Sequence, residues 1–84
     1  NMDRNALTNK LTEEFDTSRS EAERVSDKAV EYVQDKEESE LTEKMKDPDY
    51  IPSVLRSNTS PGDLISRWDQ WIGQFTNDNS YQIR

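Results

Sequence analysis

The chain has 84 residues, and its 18 Asp and Glu against 11 Lys and Arg give a net charge of -7. Leu, Ile, Val and Phe number only 5, 4, 4 and 2, close to the roughly 20% share below which highly charged chains stay disordered. No apolar run exceeds two residues and there is no cysteine, which excludes a bilayer-spanning segment, a signal-peptide core and a disulfide framework.

With Asn1 ahead of Met2, the natural chain is expected to begin at Met2, and the cytoplasm is the expected location. Leu7, Leu11 and Phe15 recur every four residues and so line one stripe of a helix. Asp3 can cap it, and the first helix is expected over 4–15. Ser18-Arg19-Ser20-Glu21 has the form of a capping box. Behind it Ala22, Val25, Ala29, Tyr32 and Val33 follow helical spacing. The two or three residues between these helices predict a helical hairpin.

Leu41 and Met45 fall off the second helix's stripe when advanced by roughly 100° per residue. The intervening "QDKEESE" contains no apolar residue. A break between 35 and 39 and a short third helix over 40–46 are therefore expected. Asp47-Pro48 ends it, because a residue before proline is pushed out of the α region. The segment "DYIPSVLRSNTS" reads as an ordered loop with a helical turn over 52–56.

The stretch "SPGDLISRWDQWIGQF" over 60–75 predicts the last helix. Ser60 is the expected N-cap and Pro61 the first helical residue, with Asp63 in the first turn. Leu64, Ile65, Trp68, Trp71, Ile72 and Phe75 share an arc of about 120° on the wheel, and Trp68 lies near its middle. Each aromatic of this kind buries on the order of 150–250 Å², worth roughly 25 cal/mol per Å², so the stripe dominates a lean core. Residues 77–84 read as a frayed tail behind a single helical domain over 1–76.

The expected fold is thus all-α, a bundle of three to four helices: a hairpin, a short third helix, a loop and a Trp-bearing C-terminal helix. Its expected core is Leu7, Leu11, Phe15, Val25, Ala29, Val33, Leu64, Trp68, Ile72 and Phe75. Six large side chains on one stripe want more cover than two thin helices supply. The margins of the stripe, Ile65 and Trp71, together with Tyr50, Leu41 and Met45, are therefore the candidate interaction surface. A homodimer covering Ile65 and Trp71 is one expected form of it.

Without histidine or cysteine the usual nucleophile–base pairs, zinc sites and thiol chemistry cannot be built. Glu13-Glu14, Glu37-Glu38 and Asp47-Pro48-Asp49 read as solvated charge, and no calcium loop or glycine-rich phosphate loop is present. No enzyme activity, cofactor, metal or small-molecule substrate is expected, which leaves a protein–protein interaction module or small complex subunit.

The opening hairpin, "ALTNKLTEEFDTSRSEAERVSDKAVEYV" over about a third of the chain, resembles the first two helices of HU-type DNA-architectural proteins. The resemblance implies DNA contact through residues 4–33, using Arg4, Lys10, Arg19, Arg24 and Lys28. These cations are interleaved with Glu13, Glu14, Glu21, Glu23 and Asp27, and no basic, strand-rich arm follows. A mixed solvated face is the stronger reading, and the net charge disfavours nucleic acid. An acidic nucleic-acid mimic seated on a basic protein is the remaining alternative.

Overall fold

The structure is a computed structural model that describes residues 2–77 and 79–84; Asn1 and Asp78 lie outside it. Five helices and no strand are present among the described residues: α1 (Arg4–Glu14), α2 (Arg19–Asp35), α3 (Glu40–Met45), α4 (Tyr50–Ser57) and α5 (Leu64–Ile72). Asp3 caps α1 by accepting from the Ala6 amide at 3.1 Å. Ser18 caps α2 by accepting from the Glu21 amide at 3.1 Å. Glu21 does not complete the box. Its carboxylate accepts instead from the Thr17 hydroxyl at 3.0 Å. The reciprocal box stands at the start of α3, between Ser39 and Thr42.

α1 and α2 form the expected hairpin. Inside it the buried Thr8 and Ser26 hydroxyls share a hydrogen bond of 2.8 Å, and Thr8 also reaches the Arg4 carbonyl at 2.9 Å. α2 stops where the apolar pattern stops: Lys36 and Ser39 both take extended backbone, so the break over 35–39 is real. α5 lies against α2 and α4, while α4 also touches α1 and α3. The Cα radius of gyration is 11.5 Å, against about 12 Å for a well-packed chain of this length.

Three expectations give way here. The connector is a helix, not a loop. Pro52 is the third residue of α4, where the amide it lacks would have no intrahelical acceptor. It is buried there with Ile51 and Leu55. Second, α5 begins at Leu64 with Asp63 as N-cap, accepting from the Ser66 amide at 2.8 Å. Ser60 and Pro61 stand outside the helix; the Ser60 amide donates to the Gln70 side chain at 2.7 Å.

Third, the C-terminal segment is docked rather than frayed. Tyr81 is buried in the core with its ring edge-on to Tyr32, 5.1 Å between centroids, and its hydroxyl donates to Asp35 at 3.0 Å. The amides of Ile83 and Arg84 both donate to the Asp69 carboxylate, at 2.7 and 3.0 Å. Arg84 also reaches Asp63 and the Ser66 hydroxyl. Gly73 leaves room here, since a Cβ there would stand 3.0 Å from both the Asp69 carbonyl oxygen and the side-chain Nε2 of Gln82. The segment thus belongs to the folded unit, not to a tail behind residue 76.

Candidate interaction surface

The core contains seven of the expected residues, Leu7, Leu11, Val25, Ala29, Leu64, Trp68 and Ile72. Phe15 and Val33 are half-buried. Ala22, Tyr32, Met45, Ile51, Leu55, Ile65, Trp71 and Tyr81 complete it. α4 and the C-terminal segment therefore supply the cover that two thin helices could not.

The candidate surface changes accordingly. Met45 is fully buried, Trp71 is 2% exposed and Ile65 3%. These three belong to the core and offer no face to a second chain. A dimer is not needed to cover Trp71 or Ile65. Leu41 and Tyr50 are half-buried. Phe75, expected in the core, is the one large apolar side chain that stands exposed among the described residues, at 45%.

The end of α5 explains Phe75. Helical geometry stops at Ile72, and the Gln74 and Phe75 amides bond the carbonyls three residues back, at 3.1 and 3.0 Å. These tighter turns end the α-helix before Phe75, so its ring stands beyond the last packed turn of α5. Its ring remains edge-on to Trp71 at 5.0 Å between centroids. Trp71 also meets Tyr50 edge-on at 6.3 Å and tilts against Trp68 at 5.8 Å. The result is a step of three rings, Tyr50, Trp71 and Phe75, rooted in the core through Trp71 and open at both ends. The Tyr50 hydroxyl has no hydrogen-bond partner among the described residues and is not a buried atom, so solvent reaches it.

At the Tyr50 end of the step the neighbouring charge is mainly acidic, while Arg67 lies one turn before Trp71 on α5. The Asp49 amide donates to the Asp47 carboxylate at 2.9 Å, and Asp49 pairs with Lys10 of α1 at 3.3 Å. Asp49, bonded to it, and the neighbouring Glu13 and Glu14 hold the Lys10 ammonium above its ordinary range. Glu13 and Asp47 have no cation in ion-pair reach among the described residues.

Two other regions carry less. A groove of about 490 Å³ lies between α2, α3 and Met2, floored by Val30 and Val33. Its polar walls are already engaged: Lys46 with Glu43 and Glu38, Thr42 with Ser39, and Lys36 over the Tyr32 and Tyr81 rings. On the hairpin, Arg4 pairs with Asp27, Lys10 with Asp49, Arg19 with Glu23 and Lys28 with Glu31. Only Arg24 of that set has no carboxylate partner among the described residues, so the strip presents little free positive charge to a phosphate backbone. No group of three or more carboxylates is placed to hold a metal ion among the described residues. No helix there is long and apolar enough to cross a membrane.

No family model matches the chain, and neither a curated protein nor a solved structure resembles it significantly.

Proposed function

We propose that the protein is a non-enzymatic interaction module that docks another protein on the exposed Phe75 and half-buried Tyr50 rings of this step, with the buried Trp71 behind them as their support. One observation carries the reading: Phe75 is 45% exposed in a chain that otherwise buries or half-buries its large apolar side chains. Leaving a phenylalanine in water forgoes the burial that a chain this lean most needs. A rigid aromatic anchored on a buried tryptophan is also the kind of group that concentrates binding energy at protein interfaces. The chemistry of the remaining surface fits, since its carboxylates are scattered and mostly solvated.

Selection from a random peptide library tests this directly. Peptides enriched on the wild-type protein are expected to lose at least about tenfold in affinity on Phe75→Ala, with helicity unchanged. Enriched peptides that bind Phe75→Ala as well as wild type would contradict the proposal.

A further inference from the structure

The occupant of this surface is defined by the charge that surrounds it, an inference that rests on the docking reading above. We infer that the Tyr50–Trp71–Phe75 step receives a cationic amphipathic segment of a partner protein, one that sets Lys or Arg beside an apolar anchor.

The charge balance is not spread evenly between free cations and free anions. Of the eleven cations, only Arg24, Lys36 and Arg67 lack a carboxylate partner among the described residues. Lys36 stands over two tyrosine rings, and Arg67 donates to the Leu55 and Gly62 carbonyls while lying over Phe15. Most of the protein's positive charge is therefore already paired with its own carboxylates. Arg24 is the exposed exception, and the unpaired surface charge is mainly carboxylate.

Next to the step this becomes specific. Tyr50 directly follows Asp49, whose amide donates to Asp47, and Glu13 acts on the Lys10 ammonium from α1. Lys10 pairs with Asp49 alone, and Asp47 and Glu13 have no cation in ion-pair reach among the described residues. A partner lysine or arginine can displace Lys10 from Asp49 or pair with Asp47 and Glu13, while its stem or a neighbouring aromatic packs on Phe75. Cations also bind the faces of Phe and Tyr rings directly. A second copy of this chain fits poorly, because a two-fold contact would set one acidic rim against its own image.

The test uses two synthetic amphipathic helical peptides with the same Leu and Trp face, one carrying lysines on its polar face and the other glutamates. The lysine peptide is expected to bind at least about tenfold more tightly, in a salt-dependent way. Phe75→Ala should weaken it about tenfold. The combined variant Glu13→Gln, Asp47→Asn, Asp49→Asn should weaken it about fivefold, with the circular dichroism of both variants unchanged. Equal binding of the two peptides, lost in both cases on Phe75→Ala, would overturn the cationic preference and leave the docking surface standing. Binding that survives Phe75→Ala, or no binding of either peptide at about 1 mM, the weak end of specific affinity, would overturn both.

Discussion

The Trp68 indole donates from Nε1 to the backbone carbonyl of Tyr81 at 2.8 Å, joining a fully buried side chain of α5 to the last residues of the chain. A buried indole N–H without an acceptor costs about 1–3 kcal/mol, so the C-terminal segment satisfies the core as well as covering it. Tyr81 adds its ring against Tyr32 and its hydroxyl to Asp35. Replacing Tyr81 with alanine should therefore cost about 3 kcal/mol in chemical denaturation, as for other buried aromatics. A frayed tail would give a change within about 0.5 kcal/mol.

Both tryptophans are core. Trp68 is fully buried and Trp71 2% exposed, and the two rings lie 5.8 Å apart. Trp68→Ala and Trp71→Ala should each cost about 3–5 kcal/mol, a large part of the roughly 5–15 kcal/mol that holds a domain together. Loss of near-ultraviolet circular dichroism and cooperative melting in both variants is the expected result. A Trp71→Ala protein that melts like wild type would place Trp71 at an interface instead.

The starts of α1 and α2 and the hairpin they form were legible because their signals are local. Asp3 and Ser18 stand where a cap is required, and the apolar residues of α1 and α2 keep one period to the end. The tail was not legible: Tyr81 meets Trp68 thirteen positions away, and no periodicity records such a contact. α4 was under-read because Pro52 looks like a breaker until it is placed in a first turn. At α5, Ser60-Pro61 and Asp63 offer two competing starts, and Asp63 is the cap, its carboxylate taken by both the Ser66 amide and Arg84. The wheel located the tryptophan stripe correctly but could not say what covers it. Hence Ile65 and Trp71 read as surface and Phe75 as core, while Met45 read as surface because it fell off the stripe of α2.

Acid should loosen the clamp between α5 and the C-terminus. Arg84, with the Ser66 amide, lowers the Asp63 carboxyl from 3.8 to about 2. In the unfolded chain that carboxyl takes up its proton first as pH falls. The stability it contributes is therefore full above about pH 4 and lost as pH falls toward about 2. Melting temperatures measured across this window should fall less steeply for Asp63→Asn, which keeps a capping side chain without the charge. Identical slopes for the two proteins would contradict the assignment.

Duplex DNA should not bind appreciably at physiological salt. Four of the hairpin's cations are neutralised by Asp27, Asp49, Glu23 and Glu31, and the whole chain carries -7, so few counterions would be released on contact. Fluorescence anisotropy with a labelled duplex is expected to show no saturable binding. Submicromolar affinity with a steep salt dependence would overturn this.

Amide and indole chemical shifts, followed while the lysine-faced amphipathic peptide is titrated into the labelled protein, test the docking surface most directly. The changes should gather at Phe75, Tyr50 and the Trp71 indole, with smaller ones at Lys10, Asp47 and Asp49. Changes centred on the Val30 and Val33 groove, or on the Arg24 face of α2, would place the interaction elsewhere and contradict the account.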